Sequence, residues 1–380
     1  MLIDSTLREG AQAYGIYLGG GAKRRMAELL AATRVDEIEC GWIGQEGLAE
    51  FLAWARQTLP GQEAGGPALA VWSPCRVADV RAAAELAEAG LLDRLSIGAP
   101  SSAAHREKRL GLSLPEMAAR VRTVVSAARE LGVGYISVGL EDASRADVDE
   151  ALELARAAVA AGASRVRLSD TVGLLTPLTT AELTLRFASE LPVPVAFHGH
   201  NDLGMATANA VTALQSGAAF ADVSALGLGE RAGIARLEEV AAWLALRSGR
   251  QSAGRYDLGH LRALSLLAAQ AAKTQLPRSL PVVGRDAFAT ESGLHVHGVL
   301  RDPTLFEPFA PELVGAQRQV GVGAKSGAAA VSAAVDATLA RLGVRAGQGA
   351  AADPGLLARV RALAARLGRP LTDKEISGVL

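Results

Sequence analysis

His198-Gly199-His200-Asn201-Asp202 is the segment of this chain best equipped for chemistry. On an extended strand, residues two apart face the same side, so two imidazoles can converge on one point. Two imidazoles with a carboxylate suit Zn, Mn, Fe or Co, and this segment takes two of only six histidines in the chain. The alternative is a histidine pair that merely hydrogen-bonds at a polar strand end. A carboxylate to complete the set stands in Asp4-Ser5-Thr6-Leu7-Arg8-Glu9-Gly10. There Glu9 would be a metal ligand and Arg8 a fixed cation over a substrate oxygen. Taken alone, Arg8-Glu9 reads better as a surface ion pair.

Other candidates follow later apolar runs. Glu141-Asp142 and Asp170-Thr171-Val172-Gly173 occupy strand-end positions, where barrel enzymes keep functional side chains. Asp170 reads equally as a helix N-cap or as an acceptor that orients a ligand. The glycines of Gly227–Gly233 permit close backbone approach, or simply a tight turn with an ion pair. Glu291–Gly298 holds His295 and His297, natural proton carriers near neutral pH if they are not merely surface residues. Tyr14, Trp42 and Trp72 sit near strand ends, where pocket lining and barrel packing explain them equally.

Short apolar or β-branched runs recur along the chain, each followed by a longer stretch of helical periodicity. Eight strands are predicted, near Leu2–Asp4, Glu37–Cys40, Ala68–Trp72, Arg94–Ile97, Tyr135–Val138, Arg165–Leu168, Val195–His200 and Ala221–Ala225. Helices are predicted between them, for example over Ala22–Ala32, Val77–Ala89, Leu114–Leu131, Arg145–Ala161 and Thr180–Ser189. This alternation predicts an α/β fold, a (β/α)8 TIM barrel over residues 1–252, with a helical C-terminal region over 253–380. No GxGxxG follows the first strand, which counts against a dinucleotide-binding sheet. Closure of the barrel brings strand one within two positions of strand seven, so Arg8 and Glu9 reach the histidine pair. In the C-terminal region, Arg345–Pro354 reads as a linker before a last helix ending near Arg366.

Composition narrows the setting. The 380 residues carry 39 Lys and Arg against 40 Asp and Glu, a net charge of −1 that offers no footprint for nucleic acid or an anionic membrane. Two cysteines, Cys40 and Cys75, make neither a disulfide scaffold nor a thiolate zinc site. With no apolar run of membrane-spanning length and a charged beginning in place of a signal peptide, a cytoplasmic protein is expected.

The motifs DSTLREG (Asp4–Gly10), HGHNDLGMATAN (His198–Asn209), GLGERAG (Gly227–Gly233) and ESGLHVHG (Glu291–Gly298) together resemble the isopropylmalate and homocitrate synthase family, within the TIM-barrel metallolyases. LEDASRADVDEAL (Leu140–Leu152) and the length look most like homocitrate synthases of the nitrogen-fixation type. The resemblance implies a transferase that condenses acetyl-CoA with a 2-oxo acid, 2-oxoglutarate in the first place, to give homocitrate and CoA. It implies a divalent metal ion (Mg, Mn, Zn or Co) held by Glu9, His198 and His200. Arg8 would stabilise the developing alkoxide, and Glu141 and His295 would be catalytic acid/base groups. Gln12, His105 and Thr171 would contact the acceptor, His105 near its distal end. A homodimer is implied as well.

Three positions depart from the family pattern: Ile234 where an Asn of the metal shell is usual, Phe306 where a catalytic Tyr is usual, and Ala11 in place of a Glu. Losing an acid of this type costs about 10²–10⁴ in rate. Alternatives are therefore the same reaction on another 2-oxo acid (isopropylmalate, citramalate or phosphonomethylmalate synthase type), or a weakened paralogue that binds metal and ligand. Retro-aldol cleavage is a further rival, but the cysteine-bearing glycine loop expected of acyl-CoA lyases is not evident.

Overall fold

The computed structural model describes residues 1–247, 254–341 and 354–379. Eight parallel strands close into a barrel in sequence order: β1 (Leu2–Asp4), β2 (Glu37–Trp42), β3 (Ala68–Pro74), β4 (Arg94–Pro100), β5 (Ile136–Glu141), β6 (Arg165–Asp170), β7 (Val195–Gly199) and β8 (Phe220–Val223). The seam is the pairing of Ile3 with Asp222 and Asp4 with Val223. All eight predicted strands are present, several running two or three residues further than the apolar runs suggest.

The helices before β4 are α1 (Glu9–Gln12), α2 (Gly20–Ala32), α3 (Leu48–Thr58) and α4 (Val77–Glu88). Two follow β4, α5 (Ala103–Leu110) and α6 (Leu114–Glu130). Next come α7 (Val148–Ala160), α8 (Pro177–Glu190), α9 (Ala206–Gln215), α10 (Leu237–Arg247) and α11 (Leu261–Ala271). Local chemistry starts them. Asp147 accepts the N–H groups of Asp149 and Glu150 at the head of α7, at 3.0 and 3.1 Å. Glu116 accepts the Ser113 N–H at 2.8 Å ahead of α6, whose Met117, Val121, Val124 and Ala128 then form the buried stripe.

The boundary expected between 252 and 253 lies outside the described residues. Packing divides the chain into Met1–Leu276 and Pro277–Leu380. The first unit takes α11, because that helix packs on α2. The second unit contains β9 (Ala289–Thr290), α12 (Gly293–Arg301), β10 (Gln319–Val320), α13 (Ala328–Arg341), α14 (Pro354–Leu367) and α15 (Asp373–Ser377). Val322, Val331, Val335, Leu356, Val360, Leu371 and Ile376 form its core. The helix expected to end the chain is α14, but α15 follows it, capped by Thr372 on the Glu375 N–H. The expected linker falls, apart from Pro354, outside the described residues. No helix among the described residues is long and apolar enough to cross a membrane.

The barrel interior departs from the usual layers of branched aliphatics. Arg165 of β6 and Glu37 of β2 are fully buried and joined by two bonds of 2.8 Å each. Arg165 also donates to Ser137 Oγ at 3.0 Å and lies 4.7 Å from the Phe220 ring centroid. One rung nearer the strands' C-terminal ends, Arg167 donates to Glu39 at 2.8 Å. Each pair uses the period of two along β2 and β6 to point charge inward.

Glu238, at the start of α10, is also buried, accepting the Leu226 N–H at 3.1 Å while its other oxygen has no partner. Burial pushes its carboxyl from 4.5 up to about 7. Between these values the folded chain holds a proton that the unfolded chain has lost, so stability falls as pH rises through this window and the loss is constant above it. Glu238→Gln is therefore expected to match the wild type near pH 4 and to gain on it by up to about 3 kcal/mol at pH 8. Urea denaturation at both pH values reads this; a difference that does not grow with pH refutes it.

Candidate active site

The C-terminal ends of the strands enclose a cleft of about 240 Å³. Eight of the nine residues singled out for function line it: Arg8, Glu9, Gln12, His105, Glu141, Thr171, His198 and His200. The ninth, His295, lies in the second unit, exposed on α12, its ring centroid 4.6 Å from that of Phe306 in an edge-to-face contact.

Glu9, His198 and His200 each offer one donor atom, and these atoms lie within 4.8 Å of one another with all three residues buried. His198 is oriented from behind: its Nδ1 meets Asp222 Oδ2 at 2.9 Å, which turns Nε2 toward the cluster, 3.4 Å from His200 Nε2. His200 Nε2 stands 3.9 Å from Glu9 Oε1. Burial, with His198 beside it, lowers the His200 imidazole to about 3. Burial works to raise Glu9, but Arg8 and the two imidazoles outweigh it and hold the carboxyl at about 2. An ionised carboxylate and a neutral imidazole are the states in which these groups ligate. The donor set fits a divalent metal.

Arg8 is not on the surface. It is 7% exposed, pairs with Glu9, and is anchored by Glu39, which accepts from its Nε at 2.9 Å. Glu39 also accepts from Ser5 Oγ at 2.7 Å. Burial opposes its ionisation, yet Arg167 and Arg8 hold its carboxyl well below the ordinary range.

On the far side of the barrel mouth, Glu141 ends β5 and is paired with Arg109 from the last turn of α5. Gly98 makes room for this arrangement: a Cβ there would overlap Glu141 Oε1 and sit 2.8 Å from Trp72 Cζ2. The next residue, Asp142, is held at φ +61° and accepts from Ser102 Oγ and, at 2.8 Å, from the Arg145 guanidinium. His105, one turn into α5, lies 3.8 Å from the same carboxylate. Thr171 Oγ1 accepts the Asp142 N–H at 2.8 Å, leaving its own proton for a ligand.

Asp170 is structural. Its two oxygens accept the N–H groups of Leu174 and Leu175 at 3.0 and 2.8 Å and close the loop after β6. In Gly227–Gly233 the ion-pair reading holds, since Arg231 binds Asp202 at 2.8 and 3.0 Å. Gly233, at φ +83°, is tight against the Gly227 carbonyl, where a Cβ would not fit. Ile234 is 1% exposed and bridges His200 through its backbone. Phe306 covers Gly298, where a Cβ would overlap its ring. Of the three aromatics considered, Trp72 lines the cleft, while Tyr14 is fully exposed.

Residues 1–267 match the HMGL-like family. The chain belongs to this family. Residues 282–366 match the family described as homocitrate synthase post-HMGL domain-like. Among curated relatives of this HMGL-like chain, 2-isopropylmalate synthase 2 of Caldanaerobacter subterraneus subsp. tengcongensis is 36% identical over 99% of the chain and 93% of that protein. The homocitrate synthase of Frankia alni is 40% identical over 88% and 92%. The HMG-CoA lyase of Bacillus subtilis superposes with a TM-score of 0.61 at 20% identity, over 73% of this chain and 95% of that one. That last likeness concerns the fold alone.

Sequence reasoning missed Glu39, Asp222 and Arg109. The signal for Glu39 was present, because two acids at alternate positions of an otherwise apolar strand, Glu37 and Glu39, must be buried and paired. Asp222, lone in Phe220–Val223, carried the same signal more weakly.

Proposed function

We propose that this HMGL-like chain condenses acetyl-CoA with a 2-oxo acid and releases CoA, with 2-oxoglutarate as acceptor and homocitrate as product. One observation carries this reading: a ligand set of Glu9, His198 and His200 shares its cleft with a buried cation, Arg8, and with a carboxylate, Glu141, across the mouth. The names of the relatives, which are 2-oxo acid condensing synthases, and the match of residues 282–366 support it.

A divalent metal held by the three ligands would polarise the acceptor carbonyl as a Lewis acid. Arg8, with its guanidinium pinned by Glu39, keeps donors where the ketone oxygen gains charge. Thr171 offers its hydroxyl proton to the 2-oxo carboxylate, while Gln12 and His105 contact the acceptor. In the reaction the acetyl methyl gives a proton to a base and its carbon bonds the ketone carbon. The former ketone oxygen then takes a proton. Water cleaves the thioester, so the acetyl carbonyl stays in the product as a carboxylate and CoA leaves as its thiol. Glu141 is the acid/base group that the cleft supplies for this sequence, and the family resemblance gives His295 the same role. A cytoplasmic homodimer belongs to the same reading, and two buried free thiols accord with a reducing compartment.

The test is release of CoA thiol from acetyl-CoA by metal-loaded protein with pyruvate, 2-oxoisovalerate and 2-oxoglutarate in turn. Turnover is expected with 2-oxoglutarate. Release with only another acid transfers the reading to that acceptor, and silence across the panel sinks it in favour of a non-catalytic paralogue, with Ile234 and Phe306 as the reason.

A further inference from the structure

The floor of the cleft is polar where an alkyl tail would need an apolar wall. Ser96, Arg167 and Ser169 line it, with Gly98 and Gly139 beside them and Ile97 and Trp72 at the sides. The two arginines of β6 differ in how fully they are used. Arg165 is 0% exposed in its side chain, and it spends three donors on Glu37 and Ser137 at 2.8–3.0 Å. Arg167 is only 4% exposed, yet it lines the cleft with donors to spare. One nitrogen donates to Glu39 at 2.8 Å, and a second reaches Ser96 Oγ only at 3.4 Å. Its Nε lies 3.3 Å from Asp222 without forming a hydrogen bond.

Space is reserved beside this guanidinium. A Cβ on Gly139 would stand 3.9 Å from Arg167 Cδ and 3.9 Å from Ser169 Oγ, so any larger side chain at this position would cover both. A buried cation with under-used donors, two hydroxyls and an absent side chain form a subsite for a small anion. An alkyl group in the same place would strand the guanidinium and the hydroxyls away from water.

We propose that Arg167, with Ser96 and Ser169, receives a second anionic group on the acceptor, so that the cleft selects 2-oxo acids ending in a carboxylate or phosphonate over those ending in an alkyl group. The inference rests on the reading of the cleft as a 2-oxo acid site. It assigns acceptor choice to a residue outside the metal ligands and the acid/base pair.

Acceptor binding is measured by calorimetry on the metal-loaded full chain without acetyl-CoA, with 2-oxoglutarate, oxaloacetate and 3-phosphonopyruvate on one side and pyruvate and 2-oxoisovalerate on the other. The dianions are expected to bind on the order of 10²-fold more tightly, and the best of the three tells carboxylate from phosphonate. Arg167→Leu is expected to bring that ratio toward one by weakening the dianions far more than the monoanions, and Arg167→Lys to keep part of it. Ser169→Ala, which leaves every charge in place, should lower the ratio by about tenfold and serves if Arg167→Leu does not fold. Equal binding of both classes by the wild type, or equal weakening of both classes by the substitutions, overturns the proposal. Selective dianion binding with no CoA release would leave this subsite standing and remove the condensation. Absence of all binding would remove both.

Discussion

Glu9→Ala will lose stoichiometric divalent-metal binding and lower kcat/KM by about 10³-fold or more. The substitution removes the one anionic donor of the three-residue set and strips Arg8 of its nearest partner, leaving two imidazoles 3.4 Å apart at Nε2. Two neutral ligands hold a dication far less well than two with a carboxylate, and Arg8, left with Glu39 as its remaining partner, repels it more strongly. Asp222→Asn should behave differently. It keeps all three ligands but replaces the carboxylate facing His198 Nδ1 at 2.9 Å, and outer groups of this type cost about 10–100-fold in metal affinity. Metal content after dialysis and CoA release measure both effects. Metal binding by Glu9→Ala at wild-type stoichiometry would remove Glu9 from the site.

Arg165→Met is expected to destabilise the barrel by about 3–5 kcal/mol, with little change in metal affinity. The guanidinium neutralises Glu37 through two 2.8 Å bonds where neither side chain touches water. Removing it leaves Arg94, at 2.7 Å, as the remaining cation on a fully buried carboxylate. For a unit of this size the Tm should fall by on the order of 10 °C. Arg165→Met combined with Glu37→Met should recover most of the loss, because an apolar pair of similar volume removes the stranded charge. Chemical denaturation of the two single variants and the double variant decides it. Single variants within about 1 kcal/mol of wild type would show that water reaches the pair or that Arg94 suffices.

The order of elements was legible in the chain because each strand is a short apolar run between turn residues and each helix brings its own cap, as at Asp147 and Glu116. The alternation of His198 and His200 was legible for the same local reason, the period of two. Charge inside the barrel was not. Arg165 and Arg167 alternate with Val166 and Leu168, a pattern that fits a strand with one wet face, and only closure of the sheet turns that face inward. Closure also buries Arg8 and Glu9, which the sequence alone favours as a surface pair. Short α5 carries both His105 and Arg109 to the cleft, although its own residues are mostly polar and show no core-facing stripe.

The sequence by itself determined the α/β alternation, the number of strands, the paired histidines and the motifs of the family resemblance, each of which depends on spacing within a few residues. Only the tertiary structure decided which polar groups meet: Glu39 with Arg8 and Arg167, Asp222 with His198, Glu141 with Arg109. The partners in these pairs are between 24 and 128 residues apart. Local propensity carries no information over that distance; barrel closure brings such residues within 3 Å, and burial then requires each charge to find its opposite.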